Sequence, residues 1–434
     1  MHKKILIISP HFPPCNLAGV HRARLFAQHL PVFGWEPVVL TVDEKSYEEA
    51  MDQNLLQLVS KDLQIVKVKA FDRIGPVGDI GLRAFFQLYS KAKEIIMQQR
   101  IHFLYIPIPS FYAALLGRWL HSSTNIRYGI DYIDPWVHHF PGSDKIGSKH
   151  WWSSKLAKIL EPIAIKKAVL ITGVAEGYYQ PVLERNPHLL TQAVHGAMPY
   201  GGEAEDHNAL AALPTKPALF IVKPTKFQLL YAGAMLPKAY GPLHAICKSI
   251  THNAAVFADV EFHFIGTGKT SNDAAGYNIK PIAETYGLWQ KNIFEYPARI
   301  PYLDVLNQLS LADGVFILGS TEPHYTPSKT YQAVLSRKPL LAVLHNNSTA
   351  SEIITGAAAG IVLSFNGEDA LPEITEQFAI TMNAFRIFAQ AFKPENVNTA
   401  LFNTYSAKEV TRQLAQLLDA AIEKNDPLKK SKSP

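Results

Sequence analysis

The chain has 434 residues, 47% hydrophobic and 18% charged, with a formal net charge of +5. That length exceeds one ordinary domain and suits two of roughly 200 residues, each with enough apolar material for its own core. The charge is too mild to indicate a nucleic-acid partner, and no zinc-finger spacing, RNA-binding aromatic motif or long basic helix supplies one. Cys15 and Cys247 are the only cysteines. They give neither a disulfide framework nor a zinc site, so a reducing compartment is expected. No run reaches the roughly 20 apolar residues needed to cross a bilayer. The opening Ile5-Leu6-Ile7-Ile8-Ser9 is too short for a signal segment and reads as a buried strand. A cytoplasmic protein is expected, with attachment to the inner face of a membrane as a further option.

In chain order, short β-rich runs alternate with helical patterns. The first-half runs are 5–9, 37–42, 65–68, 103–106, 128–133 and 169–172, with helical patterns such as 20–30, 82–99 and 156–168 between them. The second half repeats the plan with strands at 229–233, 261–265, 293–296, 314–318, 340–344 and 360–363. Its helices are expected near 242–252, 279–287, 301–311 and 329–336. Continuous apolar strands joined by helices mean parallel sheets covered on both faces. The expectation is an α/β chain of two doubly wound, Rossmann-like domains facing across a cleft. Residues 1–200 form the first domain and 227–405 the second, with a Gly-, Pro- and acid-rich linker at 201–226 and a C-terminal helix with a basic tail at 406–434. That last helix is a candidate to pack back toward the first domain.

Ligands of open α/β sheets bind beyond the carboxyl ends of the strands, so the residues after each strand carry the functional information. After the first strand comes a Pro-rich loop, then Ala18-Gly19 at a helix start, then His21, Arg22 and Arg24. Small residues at a positive helix N-terminus suit a phosphate, although an ordinary βα turn with surface arginines reads the same. Asp131 and Asp134 close the strand at 128–133 and are followed by Pro135 and Trp136; turn-capping is the bland alternative for both acids. In the second half, Lys238 lies in the loop after Leu229–Gly233. Gly266-Thr267-Gly268-Lys269 follows a strand without completing a dinucleotide fingerprint. Arg299 lies in the turn 296–302, and Pro327-Ser328-Lys329 opens a helix that carries Gln332. With Ser328 as N-cap, free N–H groups there would make a diphosphate site.

These motifs resemble the GT-B glycosyltransferases of family 4, most closely over 5–42, 131–136 and 312–343. The resemblance implies transfer of a sugar from a nucleotide-diphosphate sugar to a glycan, lipid-linked or small-molecule acceptor, with retention, in polysaccharide or cell-envelope synthesis. It implies donor contacts from Ala18, Gly19, Lys238, Gly266, Arg299, Ser328, Lys329 and Gln332. Asp134 and Asp131 would be the catalytic carboxylates, and His21, Arg22 and Trp136 would lie on the acceptor side. Ala18 replaces the usual first glycine of a pair. Gln332 stands where the family has an acid for the ribose hydroxyls; a glutamine still bonds a diol, but without charge assistance. No Asp-x-Asp occurs, so a carboxylate-held metal is not supported and no cofactor is expected. The departure at Gln332 keeps open a non-catalytic nucleotide-sugar or glycan binder, and the same fold admits a nucleotide-sugar 2-epimerase.

Residues 136–167 combine Trp136, Phe140, Trp151 and Trp152 with Lys145, Lys149, Lys155, Lys158, Lys166 and Lys167, against only Asp144 and Glu161. Aromatics with lysines suit an anionic membrane interface; they equally suit an acceptor loop or a solvated helix with one core face.

Overall fold

The computed structural model describes every residue except 1–2, 50, 74, 76–77, 138–144, 213–216, 269–272, 274, 324 and 425–434. Phe140, Asp144, Lys269 and most of the basic tail therefore lie outside the described residues. The chain divides into two compact units.

The first unit holds residues up to Glu48, Leu55–Tyr200 and the chain from Ala407 onward. Its strands are β1 (Lys3–Ile8), β2 (Trp35–Val42), β3 (Gln64–Val68), β4 (Phe103–Ile108), β5 (Tyr128–Tyr132), β6 (Leu170–Gly173) and β7 (Val194–Ala197). They form one parallel sheet in the order β3-β2-β1-β4-β5-β6-β7. The central strands β4 and β5 are buried along their whole length, β4 as an unbroken apolar run and β5 with one acid, Asp131, inside it. β7 is an edge strand of half-exposed residues, Val-His-Gly-Ala, and carries no apolar run for sequence reading to find.

Helices cover both faces. Phe85–Gln99, Ala114–Thr124 and Lys149–Ile165 pack on one side, with Leu88, Leu116, Leu120, Ala157 and Ile165 in a shared core. Ala18–His29 and the C-terminal helix Ala407–Lys424 cover the other. The C-terminal helix buries Val410, Leu414, Leu418 and Ala421, a spacing of four, four and three that draws one stripe along a 3.6-residue helix. Asp419 pins it, accepting from Lys3 Nζ at 2.6 Å and from Trp35 Nε1 at 3.1 Å.

The second unit holds 49–54 and 201–406. Its strands are β8 (Phe227–Ala232), β9 (Val260–Ile265), β10 (Ile293–Tyr296), β11 (Gly314–Leu318), β12 (Leu340–His345) and β13 (Gly360–Phe365). They are parallel in the order β10-β9-β8-β11-β12-β13. The chain reverses its winding direction between β8 and β11, so the ligand crevice of such a sheet opens at the carboxyl ends of those strands. The described residues of 201–226 are tied into this unit rather than loose. Its helix Ala204–Asn208 offers Asp206 to the Tyr302 hydroxyl at 2.9 Å, and Gly202 N donates to the Tyr405 carbonyl at 2.9 Å.

Candidate functional site

In the second unit, β8 and β9 both end on glycines with positive φ, Gly233 at +123° and Gly266 at +73°. A side chain there would be strained, and the bare backbone lets other groups come close. An added Cβ at Gly233 would stand 3.2 Å from Lys329 Nζ; one at Gly266 would stand 3.9 Å from both the Arg299 backbone and Gly233 N. Four residues from separate loops thus converge on the crevice end of the sheet. The Gly-x-Gly turn is fixed from behind: Gly266 N and Gly268 N donate to the Tyr296 and Pro297 carbonyls at 2.8 and 2.9 Å. Glu295, buried at the middle of β10, accepts from Thr267 Oγ1 at 2.5 Å and from the amides of Asn278, Ile279 and Lys280 at 2.8 to 3.0 Å.

Lys329 is the unusual member. Its stem reaches the surface in part, but Nζ is buried and has no hydrogen-bond partner among the described residues. The amine lies 3.5 Å from the centroid of the Tyr231 ring, a cation–π contact that offsets only part of the lost hydration. Burial pulls its pKa down to about 7. A buried cation without a counter-ion is costly, and an anion placed beside it would relieve that cost.

The other donor-side candidates fall into place around it with differences. Ser328 starts the helix Lys329–Leu335, but it is exposed, sits in the αR region and makes no side-chain cap bond. The expected serine side-chain cap is therefore not formed, and of the amides there Thr330 N donates to the Pro327 carbonyl. Lys238 is exposed, with its amine 3.7 Å from Glu322 Oε1, a loose surface pair. Gln332 is half-buried, and its Oε1 lies 2.8 Å from His207 Nε2. Burial lowers the His207 pKa, so the ring is neutral and donates through Nε2. That bond turns the two N–H groups of the Gln332 amide to its remaining side.

In the first unit, Arg22 and Asp131 meet in the core. Arg22 Nε reaches Asp131 Oδ2 at 2.6 Å and Nη2 reaches Oδ1 at 3.1 Å, with neither side chain exposed. Thr172 Oγ1 donates to Asp131 at 2.8 Å, and Arg22 Nη1 donates to the Pro199 carbonyl at 2.7 Å. This bidentate network joins β5, β6, the Ala18–His29 helix and the chain after β7, and it consumes both groups. Trp136 is buried too, stacked on Phe111 at 6.0 Å and met edge-on by Tyr112. Asp131, Arg22 and Trp136 therefore present nothing to a ligand in this structure.

Asp134 is different. It is exposed, although surrounding protein atoms raise its carboxyl above the usual carboxylate range. Solvent access limits that rise. Ala18 is exposed at its helix start, and Gly19 lies 3.3 Å (as a built Cβ) from the Ile133 side chain. His21 bonds Asn16 at 3.0 Å, and burial beside Arg24 lowers its pKa to about 3, so it is neutral. Sequence reading missed Tyr231, Gly233, His207 and Glu295. A Tyr-Ala-Gly strand end and an acid inside the apolar run Ile-Phe-Glu-Tyr were the signals for three of them; nothing local marked His207.

No family model matches the sequence, and no curated protein matches it. Solved structures do. A glycosyltransferase from Rickettsia africae is 16% identical, with a TM-score of 0.61 over 98% of this chain and 99% of that one. Sucrose-phosphate synthase from Thermosynechococcus elongatus is 13% identical, with a TM-score of 0.62 over 97% and 99%. HepE from Anabaena in complex with UDP-glucose is 12% identical, with a TM-score of 0.61 over 96% and 100%. Likeness at this identity is a likeness of fold: two parallel α/β units of the GT-B class.

Proposed function

We propose that the chain is a nucleotide-sugar-dependent glycosyltransferase resembling family 4, whose second unit holds the donor. The observation that carries this reading is the unpartnered Lys329 amine, buried beside the bare Gly233 backbone, which itself neighbours Gly266 and Arg299, at the switch point of the sheet. A diphosphate supplies the negative charge that this place lacks. Lys329 and Arg299 would grip it, with Lys238 released from its loose pair with Glu322. Gln332, turned by His207, would offer its N–H groups to the ribose. As the sugar–oxygen bond breaks, charge grows on the leaving diphosphate, and fixed cations there stabilise it more than they stabilise the ground state. Asp134 is the carboxylate we assign to the acceptor or to the oxocarbenium-like transition state. Asp131 and Arg22 would act from the core as a frame for the strand end that carries it. Retention, independence from metal, an acceptor that is a glycan or lipid-linked sugar, and a cytoplasmic setting belong to this same reading. The solved fold relative bound to UDP-glucose supports the donor class.

One observation favours a second reading. Gln332 is neutral and already bonded to His207, so the chain could bind a nucleotide sugar without turning it over. Calorimetric titration with UDP-, GDP-, ADP- and dTDP-sugars tests binding, and release of free nucleotide tests turnover. Binding with nucleotide release supports the enzyme, and binding without it supports the silent binder. No binding of any nucleotide sugar removes both.

A further inference from the structure

The helix Lys149–Ile165 is apolar on two opposite sides. Ala157, Ala164 and Ile165 face the core of the first unit. On the other side Trp152, Leu156, Ile159 and Ile163 are 63%, 40%, 62% and 45% exposed. At 3.6 residues per turn these four fall within an arc of about 60°, nearly opposite the buried stripe. A helix that is apolar all round is normally buried all round. Here the chain covers one side only.

The charge around the uncovered stripe has one sign. Lys155 flanks it, Lys158 stands further round on the same side, and Lys166 and Lys167 close its C-terminal end, all exposed. None of these four forms an ion pair among the described residues; Lys155 instead lies 5.5 Å from the Trp151 ring. The helix has a single acid, Glu161, which is buried and bonded to Arg185 at 2.8 Å. The neighbouring helices continue the surface. Ala114–Thr124 packs against both Lys149–Ile165 and Phe85–Gln99, and it exposes Trp119 against Phe86 in an aromatic cluster. No described helix is long and apolar enough to cross a membrane.

We propose that this outer helical layer of the first unit docks on an anionic lipid surface. Trp152, Leu156, Ile159 and Ile163 enter the headgroup–acyl boundary, while the lysine stems lie along it and their ammonium heads meet lipid phosphates. A second copy of the chain is a poorer fit, because self-pairing sets these unpaired lysines against one another. The inference does not depend on the donor site.

The test is co-sedimentation of the full chain with vesicles of phosphatidylcholine alone and of phosphatidylcholine mixed with phosphatidylglycerol. Binding to the mixed vesicles, weakened by salt and absent from the neutral ones, is expected. The pair Leu156→Glu and Ile159→Glu should lower it at least about tenfold. The milder pair Lys155→Ala and Lys158→Ala should also lower it, and serves alone where the first does not fold. Nucleotide-sugar binding should be unchanged in both, which separates loss of docking from loss of fold. Failure to bind mixed vesicles, equal binding to both vesicle types, or lysine variants that bind as well as wild type overturns the proposal. So does a dimer that the glutamate pair splits in the absence of any vesicle binding.

Discussion

Two buried cations, one in each unit, sit close to strand ends and are treated in opposite ways. Arg22 is wholly buried and answered: a bidentate carboxylate, a threonine hydroxyl on that carboxylate and a backbone carbonyl absorb it. Lys329 has its amine buried and is unanswered, with only the Tyr231 ring beside it. The guanidinium keeps its charge, held above its usual range mainly against burial by Asp131, whereas burial alone drags the lysine to about 7. A buried charge with its partner is framework. A buried charge without one is a place prepared for something that arrives later.

Removing the framework partner should have the largest effect. Asp131→Ala leaves Arg22 uncompensated in the core and should destabilise the fold by about 3–5 kcal/mol, read as a lowered urea midpoint. An Asp131→Ala protein of normal stability and lost turnover would instead restore a direct chemical role for the carboxylate.

Lys329 should behave in reverse. Lys329→Met keeps the stem and deletes the amine. The folded pKa lies below the unfolded one, so the unfolded chain binds more protons between about 7 and 10.5 and the native amine subtracts stability below that window. The variant's thermal midpoint at pH 7 should therefore not fall. Its affinity for the nucleotide sugar should drop about 10- to 100-fold by calorimetry, as expected when a charged partner is removed. A destabilised variant with full affinity would make Lys329 framework like Arg22.

Gln332 gives a smaller effect. Gln332→Ala should weaken donor binding several-fold, and His207→Ala should do so less, by freeing the amide to rotate. Gln332→Glu keeps the acceptor for His207 Nε2 and should hold or tighten binding, by on the order of 1 kcal/mol. Indifference to all three places the ribose elsewhere.

The sheets were easy to read because their central strands are buried on both faces and leave unbroken apolar runs, such as Phe-Leu-Tyr-Ile-Pro-Ile in β4. β7, half-exposed at an edge, left none. The 21-residue helix Leu371–Ala391 was absent from the expected elements because its apolar residues extend past one face, and Ile380 and Ile387 blur the periodicity from the exposed side. Lys329 was legible only through the motif around it, since its isolation is a tertiary fact. The Arg22–Asp131 and His207–Gln332 contacts span 109 and 125 residues, and no local pattern announces such pairs. Asp131 and Asp134 looked alike in sequence; three positions apart, one turns into the core and the other to solvent.

The difference between the two cations is tested most directly by counting protons when the tightest-binding of the titrated nucleotide sugars binds at pH 8, by calorimetry in buffers of different ionisation enthalpy. With a free pKa of about 7, most Lys329 amines are neutral at that pH. A diphosphate beside the amine raises its pKa, so binding should draw in close to one proton, and affinity should decline as pH climbs above 7 while staying level below it. Lys329→Met should bind more weakly and take up none. Tight binding without proton uptake, identical in wild type and variant, would contradict a lysine held in reserve for the donor.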